Sequence, residues 1–418
     1  MSSDLGKGIL FKKAKKQEQE GNWLEAAKSY EKALQSESQI ALSAAQTWER
    51  IGLCCNRASR QAKDPKEFQK LRQQAAKAYQ SAAGFFEKEH DVKNKGKSAH
   101  CSMTARYLRS WLASSPSEKR KMLNECRTLG KEGLEAYKKA GDKLNYGKMC
   151  NDLLLYLLER LRLASDWTEM REISQEGIGC GNKALAVLSE LDDKTELLRA
   201  YSVASLQSWY AANISAQEEE RKEHVRQSLS HSEKAVELSQ KVDDPVANAM
   251  ANWGATLCTL FFTDKISSSI EYAKEMLRQG TIAGDNYLQG VASNLLALVT
   301  NWSIPKEEDP DRKKERYEQI IKYAEDAVRY ITLVSQDFDI AEAYQLHAES
   351  YSYLARDVEM RPIRKQALLE KAVEIGRKGL EHASRSGSRD ATGSALHALS
   401  KALHFYSTIE TQRKENVA

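Results

Sequence analysis

The sequence predicts an all-α fold built as an array of paired helices, and three observations favour it. Glycine (21) and proline (6) together supply 27 of the 418 residues, about half the usual share of roughly 12%. Hairpins and strand-to-helix turns need these residues, so their scarcity argues against sheets and α/β enzymes. Aspartates also recur at nearly even intervals, and most prolines fall in charged links between them. The chain is therefore expected to be helical throughout.

The recurring aspartates mark the predicted boundaries between helix pairs. An acidic residue suits the first turn of a helix, where free N–H groups and the helix dipole favour it, and a glycine just before it suits the end of the preceding helix. Successive aspartates are 41 to 53 residues apart. The set is Asp91, Asp142, Asp193, Asp244, Asp285, Asp337 and Asp390.

This spacing predicts about eight antiparallel helix pairs and a closing helix from Thr392 to Tyr406. One pair cannot bury its apolar face alone, so stacking creates one continuous core. We therefore expect a single solenoid over residues 1–418, with an internal joint near residues 303–312, where Pro305 and Pro310 bracket an acidic link.

The first three units carry a recognisable repeat motif, and the chain here resembles the tetratricopeptide repeat superfamily. Small and aromatic residues occupy its consensus positions: Gly21, Trp23, Ala26, Tyr30 and Ala33; Trp48, Ile51, Gly52, Ala75, Tyr79 and Ala82; Gly133, Tyr137 and Ala140. The resemblance implies a right-handed α-solenoid whose surface binds other proteins.

The helices are longer than those of the common repeat, and the stretch from Ala75 to Glu87 is similar to the soluble NSF attachment protein branch. This resemblance covers roughly residues 5–150. It implies a twisted sheet of antiparallel helix pairs. That branch ends in a helical bundle that engages its ATPase, and the present sequence has no clear counterpart of the bundle.

Motifs for catalysis are incomplete. Lys95-Gly96-Lys97-Ser98 has the tail of a phosphate-binding loop, but Asp91 stands where the motif needs glycine, and no strand precedes it. The eight histidines are dispersed, and the seven cysteines form no CxxC pair. We therefore predict no enzyme, no cofactor and no metal, and interpret the tryptophans, about one per unit, as core residues.

The cysteine count is odd and the spacing irregular, which indicates free thiols in a reducing compartment. The start of the sequence does not resemble a signal peptide, and no apolar run is long enough to span a bilayer. A cytoplasmic location is therefore expected.

Charge is unevenly distributed along the chain. Residues 1–150 hold 30 Lys+Arg against 17 Asp+Glu, a net of +13, whereas the remainder has a net of −9. Stacked units would merge the basic clusters into one surface. A basic surface suits an acidic protein segment, an anionic lipid or a nucleic acid.

Three hypotheses for function follow. The first is a non-catalytic scaffold that binds an acidic peptide or helix. The second is a nucleic-acid-binding helical repeat acting through the basic first third. The third is the sensor arm of a larger signalling protein. The candidate partner-binding residues are Lys15, Asn56, Arg57, Arg60, Arg106, Arg109, Lys148 and Asn151. The sequence does not predict the oligomeric state.

Overall fold

A computed structural model describes residues 2–35 and 41–415, with side chains for residues 8–35, 42–305 and 307–409. Over these residues the chain is helical: 17 α-helices, one 3₁₀ helix and no strand. This confirms the all-α solenoid fold, with helices that follow one another as eight pairs and a closing helix.

The first helices of the pairs are α1 (Ser2–Gln19), α3 (Ala41–Arg60), α5 (Val92–Ser110), α7 (Lys143–Leu161), α9 (Lys194–Ile214), α11 (Pro245–Phe262), α13 (Asn286–Ser303) and α15 (Asp337–Asp357). The second helices are α2 (Trp23–Gln35), α4 (Pro65–Glu87), α6 (Pro116–Ala140), α8 (Trp167–Leu188), α10 (Glu218–Ser239), α12 (Ile266–Ala283), α14 (Pro310–Leu333) and α16 (Pro362–Ser386). The closing helix is α17 (Arg389–Glu415), and η1 (Ile304–Lys306) follows α13.

The predicted aspartates do begin helices. Asp91, Asp142 and Asp193 directly precede α5, α7 and α9, and each side chain accepts a hydrogen bond from the backbone N–H three residues on. Asp244 does the same for α11, accepting from Ala247 N at 3.1 Å. Gly141, just before Asp142, has a φ of 67°, the left-handed conformation that glycine adopts without a steric penalty.

The chain divides into two compact units. The first comprises Met1–Ala251 with Ala283–Asp285, and the second comprises Asn252–Ile282 with Asn286–Ala418. Residues 303–312 lie inside the second unit.

In the first unit each helix from α1 to α10 packs on the next, and α7 also contacts α9. Its core is rich in alanine and is filled by aromatic side chains such as Tyr30 and Phe86. Backbones approach closely where glycine replaces a side chain. A Cβ on Gly52 would lie 2.7 Å from the ring of Tyr79, which leaves no room for any larger residue.

In the second unit α13 to α17 pack in sequence, and α15 also contacts α17. Ser269 on α12 donates to the carbonyl of Thr256 on α11 at 2.8 Å. The main core joins α13 to α17 through residues such as Tyr317, Ile320 and Leu354. None of the helices in the described ranges is long and apolar enough to cross a membrane.

Candidate functional site: the cationic surface of the first repeats

Three of the predicted binding residues lie near the end of α3, beside two tryptophans. The guanidinium carbon of Arg60 lies 4.1 Å from the ring centroid of Trp111, and that of Arg57 lies 5.9 Å from Trp23. Asn56 accepts a hydrogen bond from Nη1 of Arg72 on α4. Cations over tryptophan faces are stabilised by the ring quadrupole, so these arginines are held in place rather than extended into solvent.

Arg72 stands at the centre of this cluster and is fully buried. Its guanidinium carbon lies 4.4 Å from the Trp111 ring, and Nη1 lies 3.4 Å from Ser59 Oγ. Burial, together with the positive charge of Arg60, lowers the pKa of Arg72 to about 9. The end of α3 is therefore a positively charged and partly dehydrated region, in which a charge acts over a longer range than it does in water.

Arg106 and Arg109 lie one turn apart on α5. Arg106 forms an ion pair with Glu125 on α6, with Nε 3.0 Å from Oε2. Burial and the neighbouring Arg106 lower the pKa of Arg109. Arg106 is therefore already neutralised within the fold, while Arg109 keeps a charge that is unfavourable at its position.

Lys148 and Asn151 on α7 are tied to α9. Asn151 is buried and donates from Nδ2 to the carbonyl of Glu196 at 3.0 Å, and Lys148 lies 3.7 Å from Asp193. The next residue, Asp152, contacts both His100 and Arg199. These side chains make contacts between neighbouring first helices. Lys148 and Asn151 are therefore not part of one open cationic surface.

Seven of the eight predicted residues thus fall into three groups. Asn56, Arg57 and Arg60 lie together in the arginine–tryptophan cluster; Arg106 and Arg109 lie on α5; and Lys148 and Asn151 serve contacts between helices. The remaining residue, Lys15 on α1, is exposed.

The structure shows a cationic face on α4 that the sequence reasoning missed. Four exposed glutamines and three exposed lysines share the outward side of this helix: Lys66, Gln69, Lys70, Gln73, Gln74, Lys77 and Gln80. We call these seven residues the α4 face. No acidic residue occurs between Phe68 and Phe86. In the described part of the chain, the three lysines make no ion pair.

The periodicity of α4 explains why this face is presented to solvent. Phe68, Leu71, Ala75, Ala82 and Phe86 are buried, and they recur at the three- and four-residue spacing of one helix side. The opposite side must then face water. Asp64 caps the helix by accepting from the N–H groups of Lys66 and Glu67 at 2.8 and 2.9 Å, which fixes the start of the α4 face.

Other reactive groups are buried rather than assembled. All seven cysteines are free and buried, and burial raises the pKa of Cys55 and Cys150 to about 12. Among the residues whose side chains are described, no three His, Cys, Asp or Glu groups converge closely enough to hold a metal ion.

Comparison with known proteins gives little further guidance. No protein-family model matches the chain, and no curated protein matches it. A solved structure, "Circular tandem repeat protein with novel repeat topology and enhanced subunit contact surfaces", aligns over 99% of this chain and 91% of its own, at 11% identity and a TM-score of 0.26. At that TM-score the likeness supports no assignment of function.

Proposed function

We propose that this chain is a non-catalytic interaction scaffold that binds an acidic peptide or helical segment of a partner protein on the α4 face. The observation that carries the proposal is the composition of this face. Its lysines have no acidic partner in the described residues, and the helix carries no carboxylate between Phe68 and Phe86.

The geometry of the face suits an extended or helical acidic partner. Lys66 and Lys77 are separated by eleven residues, or about 16 Å along a helix axis. Exposed ion pairs contribute about 0.2–1 kcal/mol each, so the lysines chiefly steer the encounter and set its register. The interleaved glutamines Gln69, Gln73 and Gln80 each offer two N–H donors and one carbonyl acceptor, which can hydrogen-bond a partner's side chains once it is aligned.

We also propose that the repeats belong to the tetratricopeptide class, near its NSF-attachment-protein branch. Supporting this, Ala26, Tyr30 and Ala33 are all buried, and Gly52 sits against Tyr79. The seven free thiols support a reducing, cytoplasmic location. The proposal requires no cofactor.

The test is a selection of displayed helical peptides on the purified full chain. We expect enrichment of Asp and Glu at spacings of four and seven residues, which match Lys66, Lys70 and Lys77. The K66Q/K70Q/K77Q variant is expected to bind the selected peptides roughly threefold to a hundredfold more weakly, as the loss of three exposed ion pairs implies.

The matched control is K183Q/K194Q/K265Q, which removes the same charge from exposed lysines elsewhere and is expected to bind normally. Peptides selected without acidic enrichment, or equal binding by both triple variants, would refute the proposal. If a single-stranded oligonucleotide displaced the peptides and bound more tightly, with a steep salt dependence, the nucleic-acid hypothesis would replace it.

A further inference from the structure

A polar pocket of about 360 Å³ lies between α6, α7 and α8 of the first unit, apart from the α4 face. This volume is within the range of small-molecule sites, roughly 300–1,000 Å³. Its lining is formed by Asn124, Arg127, Thr128, Lys131, Arg160, Glu169, Glu172 and Ile173. Five of these eight residues are charged, which is unusual for a simple packing defect.

Arg160 supplies a buried positive charge to the pocket wall. Only 5% of the residue is exposed. Nε donates to Asn124 Oδ1 at 2.9 Å, and Nη2 donates to Glu169. Nη1 is buried and has no hydrogen-bond partner in the described part of the structure. Burial lowers the pKa of Arg160, although the carboxylate of Glu169 acts to raise it. The positive charges of Arg120 and Arg127 lower it further. An anion in the pocket would relieve this repulsion.

Two accessible cations stand on the same wall. The side chains of Arg127 and Lys131 are 40% and 59% exposed, and both pair with one carboxylate, that of Glu176. The Lys131 contact measures 3.3 Å, and Nε of Arg127 has no hydrogen-bond partner in the described residues. One carboxylate therefore serves two cations, and hydrogen-bonding capacity remains for an oxyanion.

The α8 side of the pocket carries the opposite charge. Glu169 accepts from the backbone N–H of Ser165 at 2.6 Å and from its hydroxyl at 2.9 Å. Although burial raises the pKa of Glu169, these bonds and Arg160 lower it overall, so the group is ionised. Glu172 is exposed and makes no ion pair closer than 4 Å within the described ranges, although its charge helps to raise the pKa of Arg127. This wall repels a polyanion and favours a ligand with a cationic or donor group.

We propose that the pocket binds a small zwitterion, a free α-amino acid. Its carboxylate lies on Arg127 and Lys131 in the field of Arg160, and its ammonium group faces Glu172. Ile173 provides the apolar surface for a side chain. Both charges of the ligand are needed, because each wall of the pocket recognises one of them.

The experiment is isothermal titration of the full chain with each of the twenty L-amino acids, followed by blocked derivatives of the best ligand. We expect at least one amino acid to bind at millimolar concentration or below. Its N-acetyl and amide derivatives, which each lack one charge, are expected to bind at least tenfold more weakly.

Two variants locate the site. Arg127→Gln and Glu172→Gln should each weaken binding of the amino acid at least tenfold, and Glu172→Gln should leave the weak binding of the N-acetyl derivative unchanged. Arg171→Gln and Glu132→Gln alter exposed charges on the same helices outside the pocket and serve as matched controls. Lys131→Gln, at a largely exposed side chain, replaces Arg127→Gln if the latter fails to fold. Absence of binding by every amino acid, equal binding of the blocked derivatives, or full affinity in the pocket variants would overturn the proposal.

Discussion

Arg199 on α9 donates a hydrogen bond from Nη2 to Oδ1 of Asp152 on α7, at 2.8 Å. The other carboxylate oxygen of Asp152 lies 2.8 Å from Nε2 of His100 on α5. One aspartate therefore connects three successive first helices.

This connection should make the free energy of unfolding depend on pH in the acidic range. Burial raises the pKa of Asp152, but Arg199 and His100 lower it to a net value of about 2. Because the folded pKa lies below the unfolded value of about 4, the stabilisation is complete above pH 4 and is lost as the pH falls towards 2. Its size is about 2 kcal/mol. Urea unfolding of Asp152→Asn and the native chain should differ at pH 7 and converge near pH 2; a constant difference would contradict this.

His347 should produce a second pH dependence at milder acidity. Burial lowers its pKa to about 4, with Lys371 and Lys378 on α16 adding to the effect; Glu325 on α14 lies 3.7 Å from Nε2. As the pH is lowered from 6.5 to 4, the unfolded chain binds a proton that the folded chain does not. The free energy of unfolding therefore decreases over this range by up to about 3 kcal/mol. His347→Gln should flatten the profile between these limits, and His397→Gln, at an exposed position on α17, should not. The check is thermal unfolding across this range.

Two glycines should respond oppositely to alanine. In Gly52→Ala the new Cβ meets the buried ring of Tyr79 at 2.7 Å, whereas Gly84 on α4 has nothing within 4 Å of a Cβ. Overpacking costs about 1–3 kcal/mol, and alanine in a helix interior gains about 0.5–1 kcal/mol over glycine. Chemical denaturation should therefore show Gly52→Ala destabilised and Gly84→Ala stabilised. Equal effects would show that the ring of Tyr79 moves aside.

The seven thiols should be unreactive towards thiol reagents in the folded protein. All are buried, and burial raises the pKa of Cys180 to about 11 and that of Cys55 to about 12. The reactive species is the thiolate, so a thiol-specific chromogenic reagent at pH 8 should titrate fewer than one group in the native chain and seven in denaturant. Rapid reaction of one group would identify a local opening of its helix pair.

Much of the fold could be predicted from the sequence because its helix starts depend on local chemistry. Asp91, Asp142 and Asp193 cap helices through hydrogen bonds to residues three positions on. Such bonds need only the local sequence. The tryptophans were less predictable. Trp111 is buried as expected, but Trp167 and Trp302 are 60% and 46% exposed, so the interpretation of the tryptophans as core residues was wrong for these two.

The candidate site was harder to predict because its residues depend on distant partners. Asn151 donates a hydrogen bond to the carbonyl of Glu196, and Arg106 forms an ion pair with Glu125. Pairs of residues so far apart in the chain leave no sequence signature. The α4 face, in contrast, was visible as lysine and glutamine at helical spacing without acids. Its lysines are spaced apart along the helix, so they do not form one of the dense basic clusters of the sequence.

The ion pairs between first helices have a consequence for how the chain comes apart. Contacts such as Lys148–Asp193 and Arg199–Asp152 bridge adjacent pairs at partly exposed positions, where dissolved ions weaken them. In a stacked array, coupling between neighbours decides whether the units melt together. The cooperativity of unfolding should therefore depend on ionic strength. We expect one sharp unfolding transition in dilute buffer, and stepwise unfolding of neighbouring helix pairs in concentrated salt.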